Sequence, residues 1–309
     1  MKIHSYVLML ILMQFRRSAL KMSEINEEIS HDQVTRLLNH GEFKKKHFES
    51  ITKPCCKRGG YLIIDDTVLE KHPKSAFEDA SFVYSSSKGK AVFGYQACFL
   101  IWTDGKKRIV LDYKIYVKGG PSKIELALEM LSYARNRLKM DPKYVLFDSW
   151  YACKKILKRI AAYGWFFVTR LKKNRLFDGK KLKEYRKCPY WHAIGRIEGG
   201  LKILVVKNVN KYFATNRLSI ARTDVLNIYR TRQHIEEVNK QLKFLGLNDC
   251  QMRSIKAQNN YTIACIIAYS LLEKKSKALG TSLYKTKSLI ISKKESVFKS
   301  DMKRLSRAA

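Results

Sequence analysis

The spacing of apolar residues changes several times along this chain, and each change marks a different kind of element. Residues 7–13 form one short apolar run. Residues 22–54 show helical spacing in two pieces, with Ser23 placed as an N-cap, Glu24 in the first turn, and a second piece over 32–39 closed by His40-Gly41. From residue 61 the pattern becomes that of strands. Tyr61-Leu62-Ile63-Ile64 is a continuous apolar run followed by Asp65-Asp66-Thr67, which predicts a buried strand delivering acids at its C-terminal end. Residues 92–102 and 108–117 are rich in β-branched and aromatic side chains and flank Thr103-Asp104-Gly105, a hairpin signal. A helix is predicted over 122–139, after Pro121, and the chain returns to Tyr144-Val145-Leu146-Phe147, a second apolar strand ending in an acid, Asp148. A helix over 152–162, a strand over 165–169 and short strands over 201–206 and 212–215 follow. One long helix is predicted over 222–245, with Gly246 as its C-terminal cap, and 261–272 reads as a further buried helix.

Strands and helices interleaved in this way predict an α/β fold built on a mixed sheet. No internal repeat or Gly/Ser/Pro linker divides the chain, so boundaries come from periodicity alone. They give a helical N-terminal segment over 1–54, a first α/β part over 55–180, a strand-rich part over 181–217, a helical return over 218–272, and a Lys/Ser-rich tail over 273–309 that is expected to be flexible. The run at 7–13 falls far short of the roughly 20 apolar residues that a spanning helix needs. It is followed by Phe15-Arg16-Arg17 instead of a small-residue cleavage site. Neither a membrane nor export is expected.

The seven cysteines are scattered, odd in number and contain no C-x-x-C pair, which argues against a disulfide framework or a zinc ribbon. They read as small core residues in a reducing cytoplasm. Cys55 and Cys56 are neighbours but lack the His/Cys partners a metal site requires.

Charge changes the picture more. The chain carries 61 Lys and Arg against 27 Asp and Glu, a net charge of +34, laid over a 46% hydrophobic composition that excludes a disordered basic tail. So much like charge repels itself unless a polyanion neutralises it, and nucleic acid is the leading partner. Residues 152–217 contain 18 Lys and Arg and only three acids, Asp178, Glu184 and Glu198, the strongest footprint for a phosphate backbone. Trp150, Tyr151, Trp165, Tyr185, Tyr190 and Trp191 lie in or beside that block, where stacking on unpaired bases competes with the commoner role in a core. The basic run Lys44-Lys45-Lys46-His47 fits a solvated face and a DNA contact equally well.

In a chain this basic, acids at the ends of buried strands need an explanation, because an unpaired buried carboxylate costs several kcal/mol. Asp66 and Asp148 fall at the sheet edge where open α/β folds place their ligands, and a divalent cation shared between them would supply the missing charge. On the long helix, at about 100° per residue, Tyr229, Arg232, Glu236 and Lys243 project from one stripe. Ile228, Ile235, Val238, Leu242 and Leu245 form a separate apolar arc. Glu237 points away from Arg232 and Lys243, which favours Glu236 as the functional acid. An ordinary Arg232–Glu236 surface pair explains two of these residues but not all four.

Tyr229, Arg232, Glu236 and Lys243 fit a Y-x2-R-x3-E-x6-K signature. Over residues 22–272 the chain resembles the DDE transposases of bacterial insertion sequences, the group with a β-strand insertion inside an RNase H-like catalytic domain. Residues 62–67 resemble that family's first strand, which ends in an Asp-Thr pair, and residues 145–151 its "L-x-D-S-x-Y" segment. The resemblance implies an RNase H-like mixed sheet flanked by helices, with 181–217 as the inserted β-rich subdomain. It further implies a triad of Asp66, Asp148 and Glu236 holding two Mg²⁺ ions, with Mn²⁺ able to substitute, and Tyr229, Arg232 and Lys243 as DNA contacts near the cleaved end. Asp65 and Asp66 point to opposite sheet faces, so only one can join the triad. The family's Asp-Thr pairing selects Asp66 and leaves Asp65 a capping, supporting or surface role. Trp191 is a candidate for stacking on a flipped terminal nucleotide, although a core role is the commoner one for a lone Trp.

The implied activity is metal-dependent strand cleavage and strand transfer at element ends, on terminal inverted repeats and target DNA. A homodimer is expected because two ends must be joined in one complex, and the expected location is the cytoplasm, on the nucleoid when DNA is bound. Two other readings stay open. One is an RNase H-like nuclease or resolvase without strand transfer. The other is a decayed, non-catalytic DNA-binding remnant, suggested by an N-terminal segment shorter than in relatives.

Overall fold

A computed structural model describes residues 1–14, 17–26, 28–52, 58–85, 88–185 and 188–292, so Cys55 and Cys56 lie outside the described residues. The architecture is a mixed nine-stranded sheet with helices on both faces, which is the α/β class expected from the sequence. Strand β1 (Tyr61–Glu70) sits inside it, because its first half is apolar on both sides. Leu62 and Ile64 enter one core layer, and Ile63 and Leu69 enter the other. Strand β1 pairs antiparallel with β3 (Lys90–Thr103) and parallel with β5 (Tyr144–Phe147). Beyond β5 come β6 (Phe167–Leu171), β11 (Lys211–Thr215), β10 (Lys202–Asn208) and β9 (Tyr190–Arg196). On the other side, β2 (Ser81–Ser85) and β4 (Arg108–Tyr116) each pair with β3. A small hairpin, β7 (Leu176–Phe177) with β8 (Lys180–Lys181), stands apart.

Helices α5 (Lys123–Asn136) and α6 (Lys154–Ala162) cover one face of the sheet. Ser122 and Glu125 close a capping box at the start of α5, satisfying two backbone donors that a helix start leaves unpaired. The opposite face carries α7 (Arg222–Arg230), α8 (Gln233–Phe244) and the 24-residue α9 (Ile255–Ala278). Helix α9 is apolar nearly all round because it is buried on several sides. α1 (Ile3–Leu12), α3 (His31–His40), α4 (Lys46–Thr52) and α10 (Leu283–Ser292) all pack on it. Among the described residues, no helix is long and apolar enough to cross a membrane.

Four local expectations change. The N-cap of α2 (Ala19–Ile25) is Ser18, whose side chain accepts from Lys21 N, while the Ser23 hydroxyl donates within the helix to Leu20 O. The helices of the first 52 residues pack onto the rest of the fold instead of standing apart from it. Their apolar side chains, including Tyr6, Val7, Leu10 and Ile11, are buried against α9. The basic run there is partly structural, since the Lys45 ammonium pairs with fully buried Asp112 and lies over the Tyr133 ring. Strand β1 does not end at its acids but runs on through Asp65 and Asp66 to Glu70, while the strand-rich part after 181 supplies β9 to β11, which extend the main sheet from β6.

The fourth change is at the C-terminal side. The chain stays helical through Ala278 and again from Leu283 to Ser292. Lys/Ser-rich composition suggested flexibility, but Leu283 and Ile290 of α10 are buried in the core layer. Lys287 is also buried, and its ammonium donates to Met13 O at 2.7 Å. Burial, with Arg17 adding to the effect, lowers its pKa to about 8. Below pH 8 the folded protein bears the full cost of a buried ammonium. Between pH 8 and about 10.5 the unfolded chain holds more protons, so stability rises with pH, and above that range it levels off. The stability of the wild type relative to Lys287→Met is therefore expected to increase by about 3 kcal/mol across that window. Denaturant titrations of both proteins at pH 7.5 and pH 10.5 measure it, and a pH-independent difference contradicts the burial of this amine.

Candidate active site

The parallel register of β1 and β5 decides which acids meet. Leu62 lies opposite Val145 and Ile63 opposite Leu146, so two residues further along Asp65 comes beside Asp148. Both then fall on the face of Ile63 and Leu146, the face that α8 covers. Asp148 follows the last residue of β5 and is held in a tight turn, its Oδ1 accepting from Trp150 N at 2.9 Å and Tyr151 N at 3.3 Å.

Glu236 is in the first turn of α8, and Arg232 immediately precedes that helix. The Arg232 guanidinium donates to Asp65 Oδ2 at 3.0 Å and to Glu236 Oε1 at 2.7 Å, linking strand and helix. The helix expected over 222–245 is in fact two. At the junction, N–H groups bond three residues back, Arg232 to Tyr229 O at 3.0 Å and Ile235 to Arg232 O at 3.2 Å. This tighter turn stacks residues three apart and brings Arg232 over the sheet beside Tyr229. Gly246, at φ +95°, ends α8 where a side chain would be strained and would meet Arg17.

Asp66 does not face this group. Strand alternation sends its side chain into the opposite layer with Cys98. There it accepts from Tyr151 OH at 2.9 Å, from Lys123 Nζ at 3.3 Å and from Gln96 Nε2. The family-like Asp-Thr pairing was a cue from neighbours in sequence, whereas the face is set by register. A signal for the pairing of Asp65 with Asp148 was present, since each follows a Tyr and three apolar residues.

Lys243 lies two turns along α8 from Glu236, roughly 10 Å by helical rise. Its pKa is lowered by burial, with Glu70 opposing and Lys88 adding, which puts it toward the C-terminal end of β1 and away from the acids. Tyr229 packs edge-on against Phe213, with centroids 5.0 Å apart, and burial pushes its phenol up to about 12. Arg170, exposed on β6, acts electrostatically on Tyr229 and was not among the residues singled out from the sequence. Glu237 pairs with Arg108, away from the other acids. Trp191 is buried between Tyr185 and Tyr212, with centroids at 5.6 and 6.3 Å, the core role that was weighed against stacking on a nucleotide.

Burial raises the Asp65 carboxyl to about 7. Arg232 opposes the rise, and Asp66 and Asp148 add to it. One guanidinium thus does not compensate the acids, and adjacent carboxylate oxygens of this kind suit a hard divalent cation. Among the described residues no three His, Cys, Asp or Glu side chains stand close enough to hold an ion together. Arg232 occupies the position between Asp65 and Glu236.

No curated protein matches the sequence significantly. Among solved structures, the fold is similar to a piggyBac transposase synaptic complex with hairpin DNA, at a TM-score of 0.59 and 12% identity, covering 99% of this chain and 75% of that one. A Mos1 strand transfer complex is similar at a TM-score of only 0.22 and 16% identity, covering 48% of this chain and 52% of that one, too low to support any argument. The sequence itself is more decisive. Residues 58–271 match the transposase DDE domain, a family that generally uses divalent metal ions. That span takes in β1, β5 and the Glu236 helix and is more than half of the chain, which therefore belongs to the DDE transposase family.

Proposed function

We propose that this DNA transposase cuts and rejoins DNA through Asp65, Asp148 and Glu236, with Asp65 taking the place that the sequence alone assigned to Asp66. The observation that carries the assignment is the β1–β5 register, which sets Asp65 and Asp148 side by side beneath the helix of Glu236. Asp65 and Asp148 would hold Mg²⁺, or Mn²⁺ in its place, and Glu236 would join them on release from Arg232. Two ions bound there would activate the attacking hydroxyl and neutralise the leaving oxygen of an in-line phosphoryl transfer.

The chain's own residues have separable tasks. Arg232 partly offsets the charge of Asp65 and Glu236 and would be free to meet a DNA phosphate once those acids held metal. Tyr229 and Arg170 line the same face for the strand, and Lys243 holds the backbone further along α8. The exposed cations Lys154, Lys155, Lys172, Lys173, Lys180 and Lys202 extend a positive surface away from the site, fitting long-range attraction of a phosphate backbone. A homodimer joining two element ends, and a cytoplasmic protein that binds the nucleoid, complete the proposal.

The test uses linear DNA carrying the sequences that flank this protein's own coding region, with a supercoiled target plasmid. Strand cleavage is expected only with Mg²⁺ or Mn²⁺, and joined products are expected in the plasmid. Asp148→Ala and Glu236→Ala should each abolish cleavage while leaving gel-shift binding intact. Cleavage without joining identifies a nuclease instead, and cutting by either variant refutes the acid assignment.

A further inference from the structure

Asp66 is half-buried on the back of the sheet, directly behind the acid proposed to hold metal, and three donors converge on it. The Tyr151 hydroxyl donates to its Oδ1 at 2.9 Å, the Lys123 ammonium stands 3.3 and 3.4 Å from its two oxygens, and Gln96 Nε2 donates to Oδ2. The same Tyr151 offers its backbone N–H to Asp148 Oδ1 at 3.3 Å. Its ring is fully buried and packs edge-on against Trp150, with centroids 4.9 Å apart. The Trp150 N–H is the other donor to Asp148, at 2.9 Å, and Lys123 Nζ lies 3.9 Å from the centre of the Trp150 ring. The two residues that aim the Asp148 carboxylate are thus both fastened, from behind the sheet, to Asp66 or to its Lys123 partner.

We infer that Asp66 is a positioning residue for the metal-binding acids, acting through Tyr151 and Lys123 to hold the turn that presents Asp148. This rests on the reading of Asp65, Asp148 and Glu236 as the metal site. Asp65 and Asp66 then divide the work by face. Asp65 meets the ion in front, and Asp66 locks the opposing Asp148 turn behind, so one strand fixes both first acids relative to each other. Partners one step removed from a metal's ligands commonly change metal affinity by about 10–100-fold when altered.

Two substitutions of nearly unchanged shape test the link. Tyr151→Phe removes only the hydroxyl. Asp66→Asn leaves a single acceptor oxygen for three donors. Mn²⁺ binding to the full chain, measured by calorimetry, is expected to weaken about 10–100-fold in each variant. The double variant should be no worse than the weaker single, because both break one connection. Thermal midpoints close to wild type would separate this loss from unfolding, and cleavage by either variant should recover at raised Mn²⁺. Asp148→Ala serves as the control and should lose binding outright.

If both singles bind Mn²⁺ like the wild type while Asp148→Ala does not, the positioning role is refuted and the metal site stands. If Asp66→Asn weakens binding and Tyr151→Phe does not, Asp66 acts on the ion without this link, which also overturns the inference. Normal Mn²⁺ binding by Asp148→Ala refutes the metal site itself and the inference with it.

Discussion

Asp65→Asn is expected to lower strand cleavage by about a hundred- to a thousandfold, the scale seen when a group that stabilises transition-state charge is removed, and excess metal should not restore it. Asp66→Asn should cost far less and recover as metal is raised. The contrast follows from the two faces of β1. Asp65 shares its face with Asp148 and receives the Arg232 guanidinium at 3.0 Å, so it is a direct ligand in the proposed reaction. Asp66 is bonded to Tyr151, Lys123 and Gln96 on the other side and reaches the ion only through the position of Asp148. Cleavage rates at low and saturating Mg²⁺ for the two variants decide the question. A dead Asp66→Asn beside an active Asp65→Asn would return the triad to the assignment suggested by the Asp-Thr pairing.

Deleting residues 1–13 is expected to prevent folding, despite their distance in sequence from the acids. Tyr6, Val7, Met9, Leu10, Ile11 and Met13 are each at most 5% exposed. Burying a side chain of this kind contributes about 1.5–3 kcal/mol, so six give on the order of 10 kcal/mol, an upper estimate because unfolded chains already bury some surface. That is comparable with the whole stability of a typical domain, about 5–15 kcal/mol. The deletion also uncovers α9 and removes the Met13 carbonyl that accepts from Lys287. Circular dichroism melts should show loss of the cooperative transition, together with aggregation on size exclusion. A truncated protein that melts like the full chain would show that α1 does not belong to the core.

Much of the scaffold was legible because apolar runs and periodicity are local properties. The strand ending at Asp148, the hairpin through Thr103-Asp104-Gly105 and the helix of Glu236 all follow from residues within a few positions of one another. Less was legible where a residue's role depends on distant partners. The apolar run at 7–13 had no visible purpose until α9 lay against it. Trp191 could be read as a stacking surface until Tyr185 and Tyr212 enclosed it. The Lys/Ser-rich residues 273–292 looked flexible until the buried contacts of α10 were seen, while 293–309 lie outside the described residues.

By itself, the sequence determined that this is an α/β chain with acids following two apolar strand-forming runs, a helix bearing Glu236, and an excess of cations suited to DNA. It also determined that Asp65 and Asp66 must point in opposite directions, since side chains alternate along any strand. Only the tertiary structure decided which of the two faces Asp148 and Arg232. That choice depends on the pairing of β1 with β5 and on a helix whose Arg232 is 167 residues away from Asp65 in sequence. Alternation defines two faces locally, but long-range packing determines which one is covered.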